Sequence, residues 1–285
     1  MKTIQKTAIA LAASGLFATA AFAQTAPAAA PEAPEASPLT ANVTVVSDYR
    51  YRGISQSNFK PAIQGGFDYA HESGFYIGNW NSSISWISDA APATANTRVT
   101  APIEMDFYGG IKKEFIGEGF ASDFGVLQYY YPTSGLNVSG TQANPNTTEL
   151  YAAQNFTFGA VTGFVKFSYS VSPIFGFANS TGSYYPDLTV NYDTGVWGLA
   201  LNAHVGYQYV AGNVQGSRTG ASNSSLYSYT DWKLGVTKDF GGGLSLSAAY
   251  IGTDAGKTGS VYNYTSPTGK NLGGSTGIVA LTKTF

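Results

Sequence analysis

Apolar and polar side chains alternate most clearly between residues 196 and 209. The apolar positions are Trp197, Leu199, Leu201, Ala203, Val205, Tyr207 and Tyr209, and Asn202, His204, Gly206 and Gln208 lie between them. A period of two predicts a β-strand with two unlike faces. Aromatic residues flank the apolar face and aliphatic residues fill its middle, as two lipid interfaces around a hydrocarbon layer require. This segment therefore predicts a strand that crosses a membrane.

Segments with the same alternation recur to the last residue and predict twelve strands. They cover residues 40–52, 61–71, 75–87, 103–113, 120–131, 149–158, 161–171, 184–192, 196–209, 226–239, 244–251 and 275–285. Short connections alternate with longer ones that are rich in Ser, Thr, Asn, Gly and Ala. Short turns at one end and long loops at the other are typical of transmembrane barrels.

The predicted fold class is therefore all-β: a transmembrane antiparallel up-and-down β-barrel of about 12 strands, with short periplasmic turns and long extracellular loops. A soluble β-sandwich or propeller is the alternative, but it would expose the aromatic-rimmed face of almost every strand to water. Twelve strands at the usual tilt give a backbone radius on the order of 12 Å, which leaves at most a narrow channel. An inward Tyr108, an inward Phe75 or a long loop would plug that channel.

Charged residues test this prediction, because a charge that faces lipid at mid-bilayer costs roughly 2 to 4 kcal/mol, whereas a lumenal charge stays hydrated. In the first strand, the parity predicted to face lipid holds Ala41, Val43, Val45, Tyr49 and Tyr51. The opposite parity along the chain predicts the pore-lining residues, which are Asp48, Arg50, Arg52, Asp68, Glu104, Asp106, Glu149, Lys166, Asp187, His204, Asp231 and Lys233. The exceptions His71, Lys238 and Lys283 lie close to predicted periplasmic turns, where their side chains reach lipid headgroups. The strand at 120–131 is ambiguous, since both of its parities carry aromatic residues.

The N-terminal residues predict export. Lys2 and Lys6 precede an apolar stretch at residues 8–22, and Ala21-Phe22-Ala23 supplies a cleavage pattern of small residues. We predict a cleaved signal peptide at 1–23, with a retained membrane anchor as the alternative. Residues 24–38 are rich in Ala, Pro and Glu and predict an extended periplasmic leader. The barrel is predicted to occupy 39–285, in the outer membrane of a Gram-negative bacterium.

Composition excludes several classes of protein. The chain has no cysteine, which removes disulfides, thiol nucleophiles and cysteine-based metal sites. Charged residues make up 11% of the chain, against roughly 25% in soluble globular proteins. Removing Lys2 and Lys6 from the 15 basic residues leaves 13 against 17 acidic ones, a formal charge of −4. That balance offers no basic field to nucleic acid.

Several sequence blocks carry a resemblance to a known family. They are Ser47 to Gln56 (SDYRYRGISQ), Pro61 to Tyr69 (PAIQGGFDY), His71 to Tyr76 (HESGFY), Tyr229 to Lys233, Lys238 to Gly241, Tyr250 to Asp254 and the ending Thr282 to Phe285. Over about residues 40–285 the chain resembles the TorF family of porins. The resemblance implies a proteobacterial outer-membrane protein of porin character. The loops at 88–102 and 133–147 look particular to this chain.

Catalytic patterns are weak in this sequence. No Gly-x-Ser-x-Gly elbow occurs, and the two histidines are His71 at a predicted turn and His204 in a strand. A lumen-facing His204 favours a polar cluster over an outer-membrane lipase site. Glu104 and Asp106 would suit acid-base chemistry, but structural ion pairing is the default in a charged lumen. We therefore predict no enzyme activity, no cofactor and no metal site.

Arg50 and Arg52 are predicted to lie on the first strand, near the extracellular mouth. Two interpretations of the pair are open. The arginines form an anion-attracting constriction, or they pair with Asp48, Asp68 or acidic groups on neighbouring strands and satisfy a polar interior.

The C-terminal residue has a separate predicted role. Phe285 follows the alternating Val279 and Leu281. It resembles the C-terminal aromatic signal that the barrel-assembly machinery recognises in outer-membrane proteins. The alternative is one more aromatic residue of the interfacial girdle, and the two roles are compatible.

The function predicted from the sequence is a porin-like channel for passive diffusion of small polar or ionic solutes. The alternative is a closed structural or adhesive barrel that acts through its extracellular loops. The predicted partners are outer-membrane lipid, the barrel-assembly machinery and small solutes.

Overall fold

The computed structural model describes residues 37–90, 98–136, 144–214, 216 and 220–285. The predicted signal peptide and nearly all of the predicted leader lie outside the described residues. Parts of three predicted loops, at 91–97, 137–143 and 217–219, also lie outside them. Within the described ranges, no helix is long and apolar enough to cross a membrane.

Sixteen strands and two short helices make up the described structure. In chain order they are β1 (Leu39–Val46), β2 (Arg50–Tyr51), β3 (Ile54–Ser55), β4 (Ala62–Ala70), β5 (Phe75–Ser83), α1 (Trp86–Ala90), β6 (Ile103–Gly117), β7 (Phe120–Tyr130), β8 (Thr147–Phe158), β9 (Val161–Ser170), β10 (Tyr184–Asp193), β11 (Leu199–Gln208), α2 (Asn223–Tyr227), β12 (Tyr229–Asp239), β13 (Leu244–Thr253), β14 (Lys257–Thr258), β15 (Val261–Tyr262) and β16 (Thr276–Thr284).

Twelve of these strands close into one antiparallel barrel, in the order β1-β16-β13-β12-β11-β10-β9-β8-β7-β6-β5-β4. The ring closes at β1, where Asn42 lies opposite Thr284 of β16 on one side and Gly66 of β4 on the other. The pairs β2-β3 and β14-β15 are separate two-stranded hairpins. The predicted fold class, an antiparallel barrel of twelve strands, is confirmed.

The two faces of the barrel wall differ in polarity, as the alternation predicts. Along β13, Leu244, Leu246 and Tyr250 are exposed, whereas Ser245 and Ser247 are buried. The same contrast holds around the ring, so the outer surface is a broad band of exposed aliphatic and aromatic side chains. An apolar surface of this extent is unfavourable in water and suits the hydrocarbon layer of a bilayer.

The connections divide the barrel into two ends. At one end, which we call the short-turn end, residues 71–74, 118–119, 159–160, 194–198 and 240–243 join successive strands. At the other, the long-loop end, residues 47–61, 84–102, 131–146, 171–183, 209–228 and 254–275 join them. The turn at 71–74 shows why glycine is needed: Gly74 has φ +97°, and a Cβ there would lie 2.7 Å from the carbonyl oxygen of Lys112.

Most strands differ in extent from their predicted bounds, and in three of them the chain does something other than continue the strand. The first ends at Val46 instead of residue 52, because the chain leaves the wall there. The third ends at Ser83, and Trp86 begins α1. The ninth begins at Leu199, since Trp197 has φ +55° and belongs to the turn. In the strand predicted as ambiguous, β7, Phe124, Val126 and Tyr130 are exposed while Leu127 and Tyr129 are buried.

Candidate functional site

The interior of the barrel holds all twelve residues that the sequence singles out as pore-lining candidates. Eight of them are buried, namely Asp48, Arg50, Arg52, Asp68, Glu104, Asp106, Glu149 and Asp231. The other four are partly buried on the inward parity of their strands, namely Lys166, Asp187, His204 and Lys233. The outward neighbours of these four are apolar, as Val165 and Phe167 are around Lys166.

The position of Arg50 and Arg52 differs from the prediction. Both lie beyond the end of β1, in the segment of residues 47–61, which turns from the wall into the lumen. We call this stretch the inward segment. Tyr49 and Tyr51, predicted to face lipid, turn inward with it, and Tyr49 is 1% exposed. The alternation of the sequence continues past Val46, but contacts across the lumen decide where these side chains lie.

A tight hairpin forms the tip of the inward segment. Arg50 pairs with Ser55 and Tyr51 pairs with Ile54, which leaves Arg52 and Gly53 as the two turn residues. Their φ values are +45° and +77°, and a two-residue type I′ turn requires positive φ at both positions. Arg52 therefore holds a conformation that costs a non-glycine residue on the order of 1 kcal/mol.

The hairpin tip lies against β13 and β12, which are two and three places from β1 in the ring. A Cβ at Gly53 would lie 2.4 Å from Cγ2 of Thr253 on β13 and 2.9 Å from Cβ of Asp231 on β12. Only glycine fits at this point. The tip therefore lies beside this part of the wall, and the Arg52 side chain crosses the lumen at the long-loop end to reach β8.

Arg52 is held by partners on three wall strands. Its Nη2 donates to Glu149 of β8, at 3.0 Å from Oε1 and 2.8 Å from Oε2, and its Nη1 donates to the side-chain oxygen of Gln208 on β11. Its guanidinium lies 4.1 Å from the ring centroid of Tyr185 on β10. Burial acts to lower the pKa of Arg52, but the Glu149 carboxylate together with Tyr51 and Tyr129 outweighs it and holds the pKa well above the ordinary value. Arg52 and Glu149 thus form a buried, charged pair.

Arg50 is neutralised within the inward segment. Its Nε lies 2.6 Å from Oδ2 of Asp48, and neither side chain is more than 8% exposed. Its Nη1 donates to the carbonyl oxygens of Gly53, Leu272 and Gly274. Since Leu272 and Gly274 belong to the long connection before β16, Arg50 ties the inward segment to the last loop. The structure therefore agrees with the second interpretation of the arginines, in which they pair with acidic side chains and do not form an anion-attracting constriction.

A carboxylate of β6 receives two tyrosine hydroxyls. Tyr49 of the inward segment and Tyr131, just after β7, both donate to Glu104, the latter at 2.7 Å. Burial and the adjacent Glu104 carboxylate raise the pKa values of both tyrosines well above the ordinary value, so each keeps its proton and remains a donor. Two residues along the strand, Asp106 is buried and its Oδ1 has no hydrogen-bond partner.

A row of directly opposed charges runs around the middle of the wall. Lys112 of β6 lies opposite Asp123 of β7, and Lys166 of β9 lies opposite Asp187 of β10. The row continues through Gly206 to Asp231 of β12. Opposite charges that face each other on neighbouring strands stabilise the pairing.

His204 lies beside this row and belongs to a polar cluster. Its Nε2 lies 3.0 Å from Oδ2 of Asp231 and 2.9 Å from the Tyr185 hydroxyl, and its Nδ1 lies 3.0 Å from the Thr189 hydroxyl. Both ring nitrogens are thus engaged in hydrogen bonds. Among the described residues, no group of histidine and carboxylate side chains is arranged to hold a metal ion.

Tyrosines fill much of the lumen closer to the short-turn end. Tyr76 donates to Asp123 at 2.6 Å and shares a short hydrogen bond with Tyr151. Tyr108 faces inward, as predicted, and donates to Asp68. Phe75, also predicted inward, instead faces outward and is 61% exposed, because the neighbouring Tyr76 takes the inward parity.

The opposite side of the interior is lined by small side chains. A cleft there is formed by β10 to β13 and contains Thr189, Asn191, Asn202, Lys233, Thr237 and Ser247. Asn202 donates to Asn191 at 2.8 Å and accepts from Thr237 at 2.8 Å. The interior is therefore asymmetric, with a crowded acidic and aromatic side on β4 to β9 and a side on β10 to β13 where small polar residues line the cleft.

Sequence reasoning missed the residues that hold the inward segment. Tyr129, Tyr131, Tyr185 and Gln208 contact it from the wall, and the sequence analysis singled out none of them as a site residue. Their inward parity was readable from their strands. Their partners were not, because Arg52 and Gln208 are 156 positions apart in the chain.

The C-terminal Phe285 completes the closure of the ring. Its backbone N–H donates to Ala41 at 2.9 Å, and its side chain is 73% exposed at the short-turn end. The ammonium group of Lys283 lies 5.3 Å from the Phe285 ring centroid. An exposed ring at this position is accessible to a partner protein and to lipid alike.

The chain is similar to known proteins both in sequence and in fold. The model of a family described as "Bacterial protein of unknown function (Gcw_chp)" matches residues 28–285. No curated protein matches the chain. A solved KdgM porin aligns with a TM-score of 0.50 at 5% identity, over 86% of this chain and 99% of that chain.

Two further solved structures align less closely. A KdgM porin in complex with disordered oligogalacturonate gives a TM-score of 0.48 at 6% identity, over 87% of this chain and 98% of that one. OccD3 (OpdP) of Pseudomonas aeruginosa gives 0.41 at 13% identity, over 86% of this chain and 60% of that one.

Proposed function

The chain belongs to the Gcw_chp family of bacterial proteins, whose function is unknown, and because it has the barrel fold of the KdgM porin we propose that it is an outer-membrane channel. The channel passes small polar or ionic solutes by passive diffusion. The observation that carries the proposal is the sorting of side chains across the wall, with ionisable groups inside and an apolar band outside. A closed barrel satisfies every wall hydrogen bond internally, as a hydrocarbon layer demands.

The orientation follows from the two ends. The short-turn end faces the periplasm and the long-loop end faces the exterior, as in other outer-membrane barrels. The predicted signal peptide provides export, and Phe285 is accessible at the periplasmic side for the barrel-assembly machinery. The chain is accordingly a resident of the outer membrane of a Gram-negative bacterium.

The inward segment makes the channel narrow. It lies inside the lumen at the exterior end and is tied to β8 and β11 through Arg52 and to the last loop through Arg50. Its buried contacts favour a fixed position over free motion. Solutes that pass are therefore small, and folded or polymeric cargo is excluded.

Planar-bilayer recording tests the proposal directly. Purified barrel is expected to give discrete single-channel openings in a potassium chloride solution. Because the chain has no native cysteine, Asn202→Cys adds a unique thiol on the small-residue side of the lumen. A water-soluble charged thiol reagent is expected to reduce the conductance of that variant and to leave the outward-facing control Leu201→Cys unchanged.

A closed structural or adhesive barrel is the second candidate, and one observation favours it. Arg52 at the tip of the inward segment bonds to Glu149 of β8 and to Gln208 of β11, so the segment and this side chain together cross the lumen. A barrel that stays silent in the bilayer while cells that carry it adhere to a surface would support this candidate. Deletion of the 254–275 loop would then abolish adhesion.

A further inference from the structure

We propose that the channel selects for small cationic solutes, through carboxylates on the β4 to β6 side of the lumen that no basic side chain neutralises. This inference rests on the proposed channel function and names its solute class. It reverses the simplest interpretation of the sequence, in which Arg50 and Arg52 attract anions.

Neither arginine offers a free positive charge to a solute. Arg50 is paired with Asp48, and Arg52 is paired with Glu149. Both guanidinium groups are buried, and their remaining hydrogen bonds go to carbonyl oxygens or to Gln208. A fixed ion pair presents little net charge beyond its immediate surroundings.

Each lumenal lysine has a carboxylate beside it in the register, on the same strand or on the neighbouring strand. Lys112 lies directly opposite Asp123, and Lys166 lies directly opposite Asp187. Lys233 is two residues from Asp231 on the inward face of β12. Each basic side chain inside the described barrel therefore has an acidic counterpart.

Three carboxylates remain once these pairs are made. Glu104 and Asp106 lie on β6 and Asp68 lies on β4, the two strands on either side of β5. Glu104 and Asp68 accept hydrogen bonds from tyrosine hydroxyls, which are neutral donors. In the described part of the chain, no salt bridge joins any of the three to a basic side chain.

Asp106 has a buried oxygen without a partner. Its side chain is 2% exposed, and Oδ1 has no hydrogen-bond partner, as is also true of Nη2 of Arg50 and Oδ1 of Asp187. Glu104, two residues away on the same face of β6, has the same sign of charge. The surplus of acidic side chains is therefore concentrated on this side of the lumen.

The rim of the lumen at the periplasmic end also carries an excess of negative charge. Asp193 of β10 and Asp239 of β12 lie on inward positions at the short-turn end, whereas Lys238 and Lys283 point outward there. An excess of one sign along a low-dielectric passage concentrates the opposite ion and depletes the like ion. Small cations are thus favoured along the whole path, from the acidic side below the inward segment to the rim.

Reversal potentials in a potassium chloride gradient test the proposal on the wild-type protein. We expect a permeability for K⁺ roughly tenfold above that for Cl⁻. The double variant Glu104→Gln/Asp106→Asn keeps the shape of both side chains and removes two charges, so its permeability ratio is expected to fall toward one. Glu118→Gln is the matched control, because it removes one charge from an exposed position in a periplasmic turn.

The possible outcomes separate the inference from the function on which it rests. A conducting wild type that prefers Cl⁻, or a double variant that conducts with an unchanged ratio, overturns the cation preference and leaves the channel intact. A wild type that never opens overturns the channel itself. Should the double variant fail to refold, as judged by its heat-dependent mobility in detergent gels, liposome swelling with the wild type decides: lysine hydrochloride is expected to enter faster than sodium glutamate, and the reverse order refutes the proposal.

Discussion

Arg52 and Glu149 form a buried ion pair across the lumen, with 2.8 Å between Nη2 and Oε2 and side chains that are 5% and 1% exposed. Removal of one partner leaves an uncompensated charge, which costs more than the pair itself contributes. We predict that Arg52→Gln alone, or Glu149→Gln alone, lowers the free energy of unfolding by about 3 to 5 kcal/mol. Urea unfolding of barrels refolded into lipid vesicles measures this.

The double variant Arg52→Gln/Glu149→Gln is the control for that prediction. It removes both charges and leaves neutral side chains that can still share a hydrogen bond. Its cost is expected to be smaller than the sum of the two single costs, with a coupling of roughly 0.5 to 3 kcal/mol. Strictly additive effects would show that the two groups do not interact in the membrane.

Gly53 provides a test of the contact between the hairpin tip and the wall at β12 and β13. A Cβ added there meets both an unfavourable φ and the Thr253 side chain, so Gly53→Ala is expected to cost about 2 to 5 kcal/mol. Gly241→Ala is the matched control, since Gly241 has φ +80° and no atom lies within 4 Å of its added Cβ. That control is expected to cost only about 1 kcal/mol, and equal effects of the two substitutions would contradict the contact.

Adjacent residues of β11 test which face of the wall meets lipid. Leu201 is 51% exposed on the outer surface, whereas Asn202 lines the cleft inside. Leu201→Arg places a charge in hydrocarbon and is expected to cost roughly 2 to 4 kcal/mol in vesicles. Asn202→Arg places it in the hydrated lumen and is expected to cost much less. A larger loss from Asn202→Arg would argue against the assigned orientation.

The wall of the barrel was predictable from the sequence because its physics is local. The alternation of apolar and polar residues distinguishes the two faces of each strand, and turn residues such as Gly74 mark where the chain reverses its direction. Strand ends were predictable only where the pattern itself changes. Aromatic residues occupy both parities at Phe75 and Tyr76, so the alternation alone did not show that Tyr76, and not Phe75, faces the lumen.

The inward segment could not be predicted for the same reason. Residues 47–52 continue the alternation of β1, and nothing local distinguishes a strand that stays in the wall from one that leaves it. Whether the segment leaves the wall depends on contacts with residues far away in the chain, namely Glu104, Glu149 and Gln208. Pairwise burial of charges sets the position of Arg52, and a single sequence contains no record of that pairing.

The most direct test of the account is the single-channel conductance of the wild type beside a variant in which residues 48–59 are replaced by a short Gly/Ser linker. Because the inward segment narrows an open channel, we predict small, discrete openings for the wild type and severalfold larger ones for the linker variant. A silent wild type beside a conducting variant would show that the segment closes the barrel, and equal conductance in both would show that it does not narrow the path.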